Sequence, residues 1–350
     1  MGKELITVRA GGQSFIAFES VTVEAALDHG ARSFALQVAA DPGPQATAWA
    51  LKPGTAIKID FNSDLALTGY VDRYNPKLAK DGGIISVAGR SKSQDLIDCS
   101  AINDSGSFEN QTLLEIGQAL DKFGVGVTSD QELDAIESYQ VTPGETVFDC
   151  LEKLARKAAL TLTSPPDGSL MITKAGTKRH AGGLFEGKNF ELCEADLDWS
   201  GRHSDIIVRG QSADGTGDDA LRIEATAKDT SIGRYRPVVI VEDSDLDQAA
   251  AQKRADTRRD REAGESLTAS GEVQGFRDDE GQLWTPGWLV WTQSPFLNLA
   301  SVMLIKHVTF SQSNTDGSKT RLELIDPRAF GGKAAKGSDA GDAWSIDDED

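Results

Sequence analysis

The chain has 350 residues, 39% apolar and 26% charged, a balance that suits two to four small globular domains. No run approaches the roughly 18 apolar residues of a membrane span. The formal charge of −19, from 36 Lys+Arg against 55 Asp+Glu, argues against a surface that binds nucleic acid by neutralising phosphates. Membrane anchoring and sequence-specific nucleic acid binding are therefore not expected. The acidity is uneven: residues 101–200 carry 8 basic and 17 acidic side chains, whereas residues 1–100 carry 10 and 11. The start, Met1-Gly2-Lys3-Glu4-Leu5-Ile6, opens no apolar signal-like stretch, so synthesis and assembly in a cytoplasm are expected.

Residues 1–100 read as β-structure. Leu5–Arg9 alternates and runs into Gly11-Gly12; Ser14–Ala25 and Ser33–Val38 follow. Pro53-Gly54 then introduces Ala56–Phe61, and Leu65–Val71 and Gly83–Ala88 complete a set that suggests a small barrel or sandwich. After about residue 105 the period changes. Gln111–Phe123 sets Leu113, Ile116, Leu120 and Phe123 on one helical face and stops at Gly124. Thr142-Pro143-Gly144-Glu145 has the spacing of a capping box and predicts a second helix, with an apolar stripe of Val147, Phe148, Leu151, Leu154, Ala155 and Ala158. Leu160–Thr163 and Ser169–Lys174 flank Pro165-Pro166-Asp167-Gly168 as a hairpin.

From about residue 200 strands return at Ser204–Gly210, Arg236–Val241, Leu267–Phe276, Leu283–Thr292, Ser301–Ser311 and Thr320–Leu324. A helix with a narrow alanine stripe is expected over Asp245–Ala263. Residues 331–350, ending Asp347-Asp348-Glu349-Asp350, read as an acidic flexible tail in which Trp344 and Ile346 could serve as a small docking anchor.

Two distant stretches share a layout. Pro53-Gly54, a strand, Leu65-Ala66-Leu67, a second strand, Asp81-Gly82 and a closing strand are echoed by Pro286-Gly287, Leu297-Asn298-Leu299 and Asp316-Gly317. Asp81 follows Pro53 by 28 positions and Asp316 follows Pro286 by 30. Two copies so far apart are no periodic array. Two similar barrels in one chain would let three chains present six similar units about an axis.

Few residues point to bond chemistry. His29, His180, His203 and His307 are scattered without metal-ligand spacing, and neither a Gly-x-Ser-x-Gly elbow nor a P-loop is present. Cys99, Cys150 and Cys193 are too few and too far apart for a disulfide framework or a zinc site, and read as small core residues. Asp214, Asp218 and Asp219 lie in a Gly-rich loop without EF-hand spacing and read as a solvated turn. Arg254, Arg258, Arg259 and Arg261 interleave with Asp256, Asp260 and Glu262, as on a salt-bridged exposed helix or a subunit contact. No catalytic, cofactor or metal residues are assigned, and carboxylate pairs are too many for a glycosidase dyad to be picked out.

Several stretches resemble the Mu-like phage tail protein P family, the baseplate hub proteins of contractile tails. They are Gly89–Ala101 (GRSKSQDLIDCSA), Gly144–Arg156, Ser204–Gln211, Arg234-Tyr235-Arg236-Pro237, Leu283–Gly287 and Leu322–Phe330, in order over residues 5–330. The resemblance implies a mainly β, α+β chain with four parts: a first tube-like β-barrel at 1–100, a helix-helix-hairpin module at 101–195, a second tube-like barrel at 196–233 and 277–330, and an inserted strand-helix-strand part at 234–276. It implies a structural subunit, not an enzyme, without cofactors. The subunit would be a homotrimer between the tail tube, or tube-initiator proteins, and the central spike, among other baseplate proteins of the virion, with interface residues unknown. An acidic lumen would repel DNA. Two other readings remain open: a cell-wall-binding or peptidoglycan-degrading tail component, and the hub of a non-phage contractile injection system.

Overall fold

The computed structural model describes residues 4–40, 48–79, 82–211 and 222–332. Residues 333–350, with Trp344 and Ile346, and the loop bearing Asp214, Asp218 and Asp219 lie outside the described residues. The N-terminal strands are β1 (Ile6–Ala10), β2 (Gln13–Phe15), β3 (Ser20–Ala26), β4 (Ser33–Ala40), β5 (Ala56–Phe61), β6 (Asp64–Ala79) and β7 (Gly82–Ser91). A module follows with α1 (Gln94–Asp98), β8 (Ser107–Thr112), α2 (Leu113–Leu120), β9 (Val127–Ser129), β10 (Ala135–Gln140), α3 (Val147–Lys157), β11 (Thr161–Thr163) and β12 (Leu170–Thr173). Then come β13 (Arg179–Phe185), β14 (Glu191–Leu197), β15 (Asp205–Gln211), β16 (Ile223–Lys228), β17 (Pro237–Asp245) and α4 (Gln248–Glu265). The last strands are β18 (Leu267–Gln274), β19 (Leu289–Ser294), β20 (Leu299–Ser313) and β21 (Gly317–Ile325).

The protein is mainly β, but the two β regions are not two closed barrels. They form one 13-stranded sheet, ordered β14-β18-β21-β20-β3-β4-β7-β6-β5-β1-β2, with β13 and β19 branching from β20. The cause is a strand contact that no local pattern shows: the far half of β20 pairs antiparallel with β3, from His307↔Ala26 to Ser313↔Ser20. One core lies under both regions, where Phe61 packs against Phe276 and Phe310 with ring centroids 4.6 and 5.2 Å apart. The period of two explains the burial: Ile57, Ile59 and Phe61 of β5 are buried while Lys58 is exposed.

Within that sheet the repeat read from the sequence is present as two six-stranded units, β3-β4-β7-β6-β5-β1 and β14-β18-β21-β20-β19-β13. Gly54 and Gly287, both with positive φ (81° and 85°), donate their N–H to Val71 O and Ile305 O at 2.8 Å. Immediately afterwards one extra residue, Asp72 or Lys306, bulges the strand, and pairing resumes at Arg73↔Ala88 and His307↔Glu323. The units differ at their ends, since β1 runs antiparallel to β5 whereas β13 runs parallel to β19. The Leu-x-Leu match was misplaced: Leu65 follows the turn at Asn62 (φ 56°), while Leu297 precedes the equivalent one at Asn298 (φ 51°).

The helical module has its own core, in which Leu113, Ile116 and Leu120 of α2 meet Val147, Leu151 and Leu154 of α3. The helix starts are shifted from expectation. Thr112 and Thr146 are the N-caps, each in a reciprocal capping box with Glu115 or Asp149, so Thr142 and Glu145 precede the helix. A third small core lies between α4 and the β16-β15-β17 sheet, where Ala251 and Ala255 let the helix lie close to Ile206 and Val208. This sheet crosses the expected division at 233/234: residues 205–211 form the middle strand and pair with 223–228 on one side and 237–245 on the other, not with the C-terminal strands.

Candidate assembly surfaces

The structure spreads the chemistry-bearing residues through separate structural contacts. His180 is buried, its Nδ1 2.8 Å from Asp278 Oδ2, while its Nε2 accepts the Thr285 N–H at 3.1 Å. Trp284 and Trp288 pack on the ring, each with its centroid 4.8 Å away. With Nε2 accepting, the proton sits on Nδ1 and the imidazole is neutral. Burial lowers the His180 pKa, against the pull of Asp278. Asp278 also accepts from the N–H groups of Ala181, Glu280 and Gln282, so the pair fastens a loop to β13 and leaves no free ring nitrogen for catalysis. His203 contacts Glu262, and His29 and His307 face each other at 6.1 Å.

On α4, Arg258 pairs with Glu262, Arg259 with Asp256 and Asp260, Arg261 with Glu265, and Arg254 reaches back to Glu242 on β17. A phosphate would have to displace these carboxylates. All three cysteines are free, and only Cys150 is fully buried; Cys99 and Cys193 are half-buried. Burial pushes the Cys150 and Cys193 thiols up, away from the thiolate form that reacts. Among the described residues no group of three or more His, Cys, Asp or Glu is placed to hold a metal, and no helix is long and apolar enough to cross a membrane.

Open strand edges are the more informative surfaces, because an edge exposes unpaired N–H and C=O groups. β6 is long: Asp64–Tyr70 pairs with β5 and Gly69–Ala79 with β7, so beyond Tyr70, among the described residues, β7 is its one strand partner. There Arg73, Asn75, Pro76, Lys77 and Leu78 are all exposed, Leu78 by 74%. At the other end of the sheet, β14 pairs only with β18 and exposes Glu191, Leu192, Glu194 and Asp196, Leu192 by 72%. A third edge, β17, exposes Val239 and Val241. The sequence reading missed β14 altogether, although the alternation Glu191-Leu192-Cys193-Glu194-Ala195-Asp196-Leu197 carries the period-two signal of a strand exposed on one face.

Comparison with known proteins matches four stretches of the chain. Residues 5–91 match the family of Mu phage baseplate assembly protein GpP-like, N-terminal, and residues 93–174 match baseplate hub protein gp44-like, second domain. Residues 202–257 match tail protein NMB1110-like, third domain, and residues 247–333 match Mu phage baseplate assembly protein GpP, fourth domain. The chain is 32% identical over 339 residues to the baseplate hub protein gp44 of Escherichia phage Mu, across 93% of this chain and 88% of that one. The 43 kDa tail protein of prophage MuSo2 from Shewanella oneidensis superposes with a TM-score of 0.83 at 30% identity, over 93% of this chain and 100% of that one. The tail protein from Neisseria meningitidis MC58 shares the fold with a TM-score of 0.79 at 23% identity, over 94% and 99%. The resemblance read from residues 5–330 is borne out, and the chain belongs to the family of Mu-like phage baseplate hub proteins.

Proposed function

We propose that the chain is one subunit of a trimeric hub that joins the tail tube to the central spike in the virion baseplate, assembled in the host cytoplasm. The observation that carries this reading is the pair of six-stranded units within one chain. Three chains would offer six similar units to a sixfold tube, while the helical module and the α4 part, present once per chain, would offer a threefold set of contacts to the spike and to other baseplate proteins. The subunit acts by geometry, assembling around the spike and releasing it on contraction without bond chemistry. The four-part organisation belongs to this proposal, with β15 and β16 grouped with β17 and α4.

Light scattering on the purified protein, alone and with its spike, tests it. A mass near three times 37.4 kDa, or a monomer that trimerises when spike is added, is expected. A monomer indifferent to the spike overturns the reading.

A further inference from the structure

Within the chain the two six-stranded units are welded by β20 and β3, and the same positions recur, unused, at the two outer edges. The repeat fixes the correspondence. Val71 matches Ile305 and the bulges match, so Arg73–Ala79 of β6 stands where His307–Ser313 of β20 stands. Counting through the next strands, Ser33↔Arg90 corresponds to Thr268↔Ile325, and Glu24↔Ser33 to Asp196↔Thr268, so β14 stands where β3 stands. The covered pair and the uncovered pair differ as expected from this. Phe310 and Ser311 of β20 are buried and half-buried, as are Val21 and Thr22 of β3, while Pro76 and Lys77 of β6 and Leu192 and Glu194 of β14, which stand in their places, are exposed.

We propose that the far half of β6 in one copy pairs antiparallel with β14 of the next copy, in the register that β20 and β3 use within the chain. This rests on the trimeric reading and specifies its seam. Transferring the register, Ser311↔Thr22 becomes Lys77 opposite Glu194, His307↔Ala26 becomes Arg73 opposite Asp198, and Gln312↔Val21 becomes Leu78 opposite the bulged Leu192–Cys193 step. The two edges are therefore complementary in that register: Lys77 and Arg73 meet Glu194, which already holds Arg321 and Ser270 through Oε1, and Asp198, and Leu78 and Leu192, the two most exposed leucines among the described residues, meet each other. Pro76, which has no N–H, stands where Phe310 stands, so this position has no backbone donor to offer a partner strand, as is usual for a proline on an edge strand. Six units joined by alternating internal and external seams would close without a free edge.

The test is a disulfide across the seam in the full-length protein. Directly opposed residues of antiparallel strands have Cα atoms about 4.5–5.5 Å apart, within disulfide reach. Lys77→Cys and Glu194→Cys are combined in a Cys193→Ala background and oxidised in the presence of the spike. The expected product on a non-reducing gel is a covalent trimer, absent from either single-cysteine variant. Lys77→Glu, at an exposed position, should fold normally and weaken trimerisation by at least about tenfold through the like charge of Glu194. A wild-type trimer by light scattering, without cross-link and without a Lys77→Glu effect, overturns the seam and leaves the trimer standing. A wild-type protein that stays monomeric with the spike overturns both.

Discussion

His180 and Asp278, 98 residues apart in the chain, share a 2.8 Å hydrogen bond between two buried side chains. The bond ties β13, which follows the helical module, to the loop before β19, and so fixes how the chain re-enters the main sheet after that module. Both ring nitrogens are engaged and two tryptophans cover the ring, so the contact demands one tautomer and one orientation.

Replacing His180 by Ala should therefore be costly. It removes a packed ring and leaves Asp278 buried with one partner fewer, together about 3 kcal/mol. Urea denaturation of the variant against wild type measures this, and a loss below about 1 kcal/mol would show that the loop is held by its backbone contacts alone.

The same pair should make stability depend on pH. Burial sets the folded pKa of His180 below its ordinary value of 6.5, so the unfolded chain binds the proton more readily. The stabilisation is whole above pH 6.5 and falls as the pH drops below it. Burial pushes the Asp278 carboxyl up, but hydrogen bonds from His180, Gln282 and Ala181 outweigh this and hold it below 3.8, so its contribution is lost only in stronger acid. Urea midpoints between pH 8 and pH 5 should decline in wild type and decline less in His180→Gln. Equal slopes would remove His180 as the cause.

Much of this arrangement was legible locally and little of it globally. The stripe Val147, Leu151, Leu154 and Ala155 gave α3, and the Pro-Gly and Asp-Gly spacings gave the repeat, because both depend on near neighbours. The cap is misread because Thr142-Pro143 imitates a helix start, with Thr142 four residues before Thr146, which takes that role. Closed barrels were expected because each set of strands looked self-sufficient, whereas the β3·β20 contact joins segments almost 300 residues apart. β14 is hard to read because Leu192 is exposed against the alternation and the half-buried Cys193 and Ala195 are small, which leaves Leu197 alone as a large apolar residue on the inner face.

Arg32 tests how the helical module is seated on the sheet. Its guanidinium is buried and donates from Nε to Ser164 O at 2.8 Å and from Nη1 to Ala66 O at 2.9 Å. Burial lowers its pKa to about 10, partly offset by Asp167, so it stays charged at neutral pH. Arg32→Met keeps the stem and strands two carbonyls, each costing about 1–3 kcal/mol, while relieving a buried charge. A net loss of about 2 kcal/mol is expected, with hydrogen exchange rising first around Ser164–Ser169. Exchange rising evenly over the molecule would show that Arg32 does not act at this joint.

The cores also determine which pieces can stand alone. Residues 93–174 enclose a cluster of their own, running from Leu96 to Ile172, and meet the rest of the chain through polar contacts: Arg32 and the Ser91, Ser93 and Ser164 hydroxyls, the Arg90–Asp98 pair and the Thr163 hydroxyl on Ala26 O. Residues 5–91 have no such independence, since β3 gives its outer edge to β20 and Phe61 completes its packing on Phe276 and Phe310. Expressed separately, the 93–174 fragment should unfold cooperatively in urea, and the 5–91 fragment should aggregate or melt without a sharp transition, because its free β3 edge and uncovered Phe61 face water. Adding the 247–333 fragment should rescue it only in part, since β13 and β14 come from residues 179–197. A sharp, monomeric transition for 5–91 alone would mean that the first unit closes its own core, and the two units would then have to be treated as separate bodies joined by a strand contact.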